Sequence, residues 1–399
     1  MTTQSSRAWR VVAAGTGINL ALGVLYAWSV IKGAIPDDWH WTNADKALPY
    51  SVACLVFALM MIPAGKMQDR FGPRIVASIG GVLTGLGFIL ASLSGSSLLG
   101  FVCGFGVLAG AGIGFGYAAA TPAAVKWFPA QKTGLITGIV VAGFGLASVY
   151  IAPLATYLLA RQGIATTLLV MGISFLILVL VFAQFLRNPD SSSAGPLAVS
   201  QNNRANEKNW REVIRESQFI VLWLMYFAGS AAGLTFISVA QGLGKKSLGE
   251  YAFFAVVALS IGNAGGRILA GIISDRLGRQ KTLLGAFMLQ VITLASLYVN
   301  LDGSHAAVIL VILFLLGGNY GANLALFPSA AKDYFGLKNF GLNYGLLFSA
   351  WGAAGLIMPW LNGYLQDRTG SAGLSYIIIC VMLAGAAALT FVSSRLARR

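Results

Sequence analysis

The stretch GKMQDRFGPR, residues 65–74, returns 206 positions later as GIISDRLGRQ, residues 271–280. The same shift carries Asp69 onto Asp275, Arg70 onto Arg276 and Gly72 onto Gly278. It also carries Gly112 onto Gly318, Pro122 onto Pro328 and Lys126 onto Lys332. One ungapped offset that holds from Gly65 to Lys126 marks a duplicated unit, so the chain consists of two like halves. Both copies sit between long apolar runs. Of the 399 residues, 57% are hydrophobic and 10% charged, with mean hydropathy +0.76. A soluble protein carries about 25% charged residues. The composition excludes a soluble globular chain and predicts a polytopic membrane protein.

A bilayer crossing needs about 20 apolar residues as a helix. Short segments of alternating polarity are absent, which argues against a β-barrel. Polar punctuation predicts twelve spans, at 10–35, 44–66, 73–94, 97–126, 130–158, 163–187, 217–243, 249–275, 281–300, 305–331, 339–366 and 371–395. The expected fold is all-α, with two parallel six-helix halves about an axis along the membrane normal, an architecture of secondary transporters. The halves are 1–187 and 217–399, joined by 188–216. That joint contains NPDSSSAGPLAVSQNNRANEKN (188–209), polar and poor in aromatics, and reads as a cytoplasmic linker. WREVIRES (210–217) follows, either a short interfacial helix or a few frayed turns. The first span is longer than a signal sequence's apolar region, with no small-residue cleavage site after it, and is expected to stay attached.

Lysine and arginine set the orientation. Twenty of the 27 fall in segments on the N-terminal side, from Arg7 to Arg399; six fall opposite, at Lys32, Lys46, Arg161, Lys245, Lys246 and Arg368. Both termini are therefore expected in the cytoplasm, with the protein multi-pass in the cell membrane. Most of the +14 net charge is this bias. Spread among short loops, it makes no patch for nucleic acid. Cys54, Cys103 and Cys380 lie in separate apolar runs and read as packing residues, and His40 and His305 fall in short polar connections. No metal or cofactor is expected, and nucleophile-elbow, zinc-protease and phosphate-loop patterns are absent. The glycines of GFGVLAGAGIGFGYAAATP (104–122) lie within one apolar span and read as helix-packing surface, not as a dinucleotide loop. Gly143/Gly145 and Gly352/Gly355 read the same way.

The repeated G-x-x-x-D-R-x-G pattern resembles the signature of the major facilitator superfamily. Four further stretches resemble its oxalate/formate antiporter and monocarboxylate transporter branch. They are GVLYAWSV in span one, KWFPAQKTGLITGIVVAGFGLAS (126–148), ESQFIVLWLMYF opening span seven, and Arg267 with Asn263 in span eight. The resemblance covers nearly the whole chain. It implies a carrier of small carboxylates working by alternating access.

Asp69, Arg70, Asp275 and Arg276 are expected at cytoplasmic helix ends, where a carboxylate pairs with an arginine or caps a helix. They are read as a cytoplasmic gate. Arg267 is of another kind. It lies eight residues before Asp275, about 12 Å along a helix, and so within the hydrocarbon. Such a charge costs at least about 2.5–3.5 kcal/mol unpaired. Asp45, Asp69, Glu250, Asp275, Asp333 and Asp367 all fall near span ends, so the protein supplies no acid at that depth. A substrate carboxylate fits the planar guanidinium fork. Alternatively Asn263, one turn away, satisfies it structurally.

In the layout that the resemblance implies, spans one, four, seven and ten line the cavity. Tyr26, Tyr117, Tyr320 and Asn323 then join Arg267 and Asn263 as substrate-binding candidates, with Leu25, Phe144 and Phe327 as an apolar wall. The alternatives are interface anchoring, helix–helix hydrogen bonds and plain core packing. Two departures matter. Oxalate-exchanging relatives resemble this sequence but carry a lysine in span eleven where YGLLFSAWGAAG places Trp351. Animal-type monocarboxylate carriers have an aspartate where Asn263 stands. The first favours a monoanion over a dianion; the second leaves the proton-carrying residue unidentified. The expectation is a monomeric, proton-coupled symporter of lactate, pyruvate or formate-like monocarboxylates. A carboxylate exchanger of the oxalate/formate type is the alternative, and a non-transporting receptor a remoter one.

Overall fold

The computed structural model describes residues 3–128, 133–189, 208–300, 305–336 and 339–396. Most of the linker, 190–207, lies outside the described residues. All regular structure among the described residues is helical. Span one is α1 (Thr3–Leu22), a tighter 3-10 stretch Gly23–Ala27, and α2 (Trp28–Gly33). Spans two and three are α3 (Asn43–Phe71) and α4 (Pro73–Leu93). Span four is α5 (Leu98–Phe101), a π-helical stretch Val102–Ala109, and α6 (Gly110–Val125). Then come α7 (Thr133–Ala183), the single turn α8 (Trp210–Val213), α9 (Ser217–Leu248), α10 (Phe253–Leu277), α11 (Arg279–Val299), α12 (Ala306–Phe335), α13 (Phe340–Thr369) and α14 (Gly373–Leu396).

Eleven runs are long and apolar enough to cross a membrane. The twelfth span is inside α7. Its 51 residues would reach about 77 Å unbroken, far beyond a hydrocarbon core of about 30 Å. The break is at Gly163, whose φ of 72° and ψ of 177° no helix accommodates and few side chains tolerate. Spans five and six are the two sides of that glycine. Twelve crossings put Thr3 and Leu396 on one face, the terminal face. Leu93, Ile177, Val181, Ile268, Leu269 and Ile292, exposed on the bundle's outside, are the surface a bilayer covers.

The repeat is conformational as well as sequential. Gly72 ends α3 at φ 82°, ψ 164°, and Gly278 ends α10 at φ 86°, ψ 156°. Both turn the chain into the next span from the left-handed half of φ space, which explains the glycine in each copy. The helix behind the linker is one turn long, capped reciprocally by Asn209 and Glu212. Lys208 anchors it: its N–H donates to the Phe335 carbonyl (3.2 Å), and its carbonyl accepts from Asn343 Nδ2 (3.0 Å).

Glycine seams set the helix spacings. In α10 and α12, Gly262, Gly266, Gly317 and Gly321 interleave backbone against backbone, and a Cβ on any of them would fall inside a facing carbonyl. A Cβ on Gly80 of α4 would lie 2.7 Å from the Gly112 carbonyl oxygen, so the span-four glycines do form packing surface. Gly143 abuts the Thr16 carbonyl, whereas Gly145 makes only ordinary contact with Ala264. Helices α3 and α13, one from each set of six spans, run together along their length through Ile62 and Gly345, Ala58 and Gly352, Cys54 and Gly355, and Asn43 and Gly363.

At the face opposite the termini this seam ends in a clasp. The Asp367 carboxylate accepts from the backbone N–H of Asn43 (2.9 Å) and of Ala44 (2.9 Å), and from Asn43 Nδ2 (2.8 Å). Those N–H groups open α3 and have no partner within it, and the helix dipole favours an anion there. Asp367 lies in GYLQDRTG (363–370), the spacing of the repeated motif a third time, at the opposite face. Asp367→Asn is expected to loosen the seam by about 1 kcal/mol, typical of a lost cap, a roughly fivefold change in the open fraction. Maleimide labelling of Cys54, buried in the seam, checks this in a Cys103→Ala, Cys380→Ala background; an unchanged rate would mean that the clasp does not hold the seam.

Candidate functional site

Span eight carries Arg267 midway along α10. Its Nε donates to Asn263 Oδ1 one turn earlier (3.1 Å), and its Nη1 donates to the Val141 carbonyl of α7 (3.1 Å). Asn263 is fully buried, and its Nδ2 has no partner among the described residues. Among the described residues no carboxylate pairs with Arg267. Neutral dipoles hold the guanidinium, so its charge stays uncompensated. The next carbonyl back, that of Val140, accepts from Asn19 Nδ2 of span one (2.8 Å). The GIVVAGFG segment of α7 thus offers two successive carbonyls to side chains from other spans.

Aromatic rings surround the arginine. Tyr26 and Tyr117 both pack on Phe144, which lies one turn along α7 from the Val141 carbonyl that Arg267 holds. Phe144 meets Tyr26 edge-on at 4.9 Å between centroids and Tyr117 at 5.3 Å. Phe57 of α3 touches Tyr117 (5.4 Å), Phe144 (5.9 Å) and Trp351 (5.1 Å). Trp351 stacks on Phe348 at 4.9 Å. Trp351 Nε1 donates to Tyr320 Oη (2.7 Å), which lies 2.9 Å from Tyr26 Oη. The 3-10 stretch that breaks span one carries Tyr26 into this cluster. The result is a cation held by an amide oxygen and a backbone carbonyl, beside a wall of rings that carries tyrosine hydroxyls.

Of the candidate residues, Arg267, Asn263, Tyr26, Tyr117, Phe144 and Tyr320 come together in one cluster. Phe327 stands one layer away, stacked on Tyr226 at 4.3 Å. Leu25 is fully buried beside Tyr26 and packs in the core. Asn323 is buried against Gly229, its side-chain oxygen and nitrogen both without a partner among the described residues. Phe57, Phe348 and the Val141 carbonyl belong to the cluster and escaped the sequence reading; Trp351, noted there as standing in place of a lysine, belongs to it too. Phe57 and Phe348 are ordinary residues of apolar spans, and a backbone carbonyl leaves no signal in the sequence.

At the terminal face, Asp275 pairs with Arg279 Nη1 (2.8 Å), not with Arg276, and Arg279 Nε reaches Asp333 (3.0 Å). Arg279 thereby ties the turn after α10 to the end of α12. Arg276 is exposed; so is Arg70, whose guanidinium lies over the Phe71 ring at 5.2 Å. Asp69 lies on α3, but its side chain is outside the described residues.

A bundle of twelve spans with an ionised residue at mid-depth, bridging its two sets of helices, is the architecture of a membrane transporter. The chain belongs to the Major Facilitator Superfamily, whose model it matches over residues 14–359. It is 29% identical over 383 residues to the oxalate:formate antiporter of Oxalobacter formigenes, across 94% of this chain and 89% of the relative. It is 26% identical over 385 residues to human monocarboxylate transporter 11, across 93% and 79%. Its fold matches an inward-facing, occupied bacterial homolog of the human lysosomal transporter Spinster, with TM-score 0.72, 16% identity and 96% of each chain covered.

Proposed function

We propose that this protein is a secondary active transporter of small monocarboxylates, of lactate, pyruvate or formate size, working by alternating access. The observation that carries the reading is Arg267, a mid-span guanidinium bonded to neutral acceptors alone. A carboxylate that exchanged for those acceptors would neutralise it with two parallel, charge-assisted bonds. The surrounding rings suit a short alkyl body, and one cation beside them suits a monoanion better than a dianion. Tyr26, Tyr117 and Tyr320 offer hydroxyls to the substrate. Asp69, Arg70, Asp275 and Arg276 act where the terminal face closes. Basic residues concentrated on that face support a cytoplasmic location for both termini, in the cell membrane.

Proton symport is the preferred coupling. A monoanion and a proton together carry no net charge, so their joint transport is electroneutral and an inward proton gradient alone can drive it. Likeness to an oxalate:formate antiporter supports exchange as the second reading. Uptake of labelled lactate, formate and oxalate into proteoliposomes, with and without an imposed pH gradient, separates them. Symport predicts monocarboxylate uptake driven by an inward proton gradient. Stimulation only by substrate loaded on the opposite side would establish exchange, and uptake of oxalate alone would overturn the monoanion assignment.

A further inference from the structure

Three buried side chains from three spans form a hydrogen-bonded line: Trp351 on α13, Tyr320 on α12 and Tyr26 in the break of span one. The indole N–H donates only, so Tyr320 Oη accepts from Trp351. The Tyr320 hydroxyl hydrogen then needs an acceptor, because a buried donor without one is costly. Tyr26 Oη, 2.9 Å away, supplies it. Tyr320 has little freedom to turn elsewhere, since its ring fills the space that the missing side chain of Gly233 leaves on α9. With Tyr26 Oη accepting, its own hydrogen is the free end of the line. Donors in series polarise one another, which strengthens the last one.

Resting on the transport reading above, we propose that Trp351 is a positioning residue which, through Tyr320, aims the Tyr26 hydroxyl hydrogen at the oxygen on carbon 2 of a monocarboxylate held by Arg267. The guanidinium fork takes both carboxylate oxygens, and the next oxygen along the molecule meets Tyr26. Trp351 thereby selects 2-oxo and 2-hydroxy acids over unsubstituted acids of the same length. The selection depends on direction: were the line reversed, Tyr26 would present a lone pair and repel the same oxygen.

The test compares pyruvate and lactate with propionate in purified wild-type protein and in Trp351→Phe, which keeps a ring and loses the N–H. Half-saturation for pyruvate and lactate is expected to rise about tenfold, equivalent to about 1.4 kcal/mol, while that for propionate is unchanged. Tyr26→Phe is expected to give the same loss, and adding Trp351→Phe to it no more. Should Trp351→Phe fail to fold, Tyr320→Phe breaks the same line and is expected to show the same selectivity change. Equal losses for all three acids, no loss for any, or additive losses in the double variant would overturn the proposal. Wild-type protein that takes up none of the three would instead overturn the transport reading.

Discussion

Arg267→Ala is expected to abolish saturable monocarboxylate uptake while leaving the protein folded. On the proposed reading the two effects separate, because substrate binding needs the guanidinium while its cohesive bonds are few and uncharged at the far end. Its partners, Asn263 Oδ1 and the Val141 carbonyl, are neutral, and removing a cation from mid-span relieves a desolvation cost of at least about 2.5–3.5 kcal/mol. The melting temperature should therefore hold or rise. Losing a bidentate pair with a carboxylate costs about 3 kcal/mol or more, over a hundredfold in affinity. Arg267→Lys sharpens the result. An ammonium keeps the charge but offers a point donor in place of the planar fork, and has no counterpart of the Nε that holds Asn263. Affinity in the lysine variant should stay within several-fold of the alanine variant. Isothermal titration with pyruvate and proteoliposome uptake measure both. Wild-type affinity in Arg267→Ala would remove the substrate anchor from the site altogether.

The seam between α10 and α12 carries the second large expectation. Gly266→Ala should lose most correctly folded protein, and Gly321→Ala should do the same. A methyl on Gly266 would enter the Gly318 carbonyl, and one on Gly321 would enter the carbonyl of Asn263. Neither neighbour is a side chain that can swing away. Overpacking of this kind usually costs about 1–3 kcal/mol and sometimes more; backbone facing backbone puts these sites at the upper end. The consequence reaches the site, because Gly321 packs on the residue that orients Arg267. Gly265 supplies the control. It sits one position from Gly266, among the described residues nothing lies within 4 Å of where a methyl would stand, and alanine is the better helix former by about 1 kcal/mol. Gly265→Ala should therefore be neutral or stabilising. Detergent-solubilised yield and thermal unfolding distinguish the three variants, and normal yield of Gly266→Ala would mean that the helices stand further apart than described.

Much of this molecule was legible before its structure. Length of apolar run decides what crosses a membrane, and the 206-residue offset identified a doubling that the paired conformations of Gly72 and Gly278 bear out in the backbone. Arg267 was legible because a charge at that depth has few reasons to exist. Other features were hidden for physical reasons. In a span that is apolar all round, nothing distinguishes Phe57, packed on Tyr117 and Trp351, from a phenylalanine facing lipid. Val141 takes part through its carbonyl, which every residue possesses. Asp367 carried a signal, the third G-x-x-x-D-R-x-G, but an acid near a span end reads as ordinary solvation until Asn43 is seen across from it. Trp351 stood out in sequence as the replacement for a lysine; that its N–H meets Tyr320, and Tyr320 meets Tyr26, is visible only in their distances.

The bond from Arg267 to the Val141 carbonyl spans the two sets of helices that must part for the bundle to change face. In a carrier working as proposed, an unladen molecule is tethered to itself by the group that would grip its cargo. Arrival of the cargo both fills the fork and cuts the tether. In such a carrier the empty return of a symport cycle has to break this tether and is its slow step, whereas exchange, laden in both directions, never meets it.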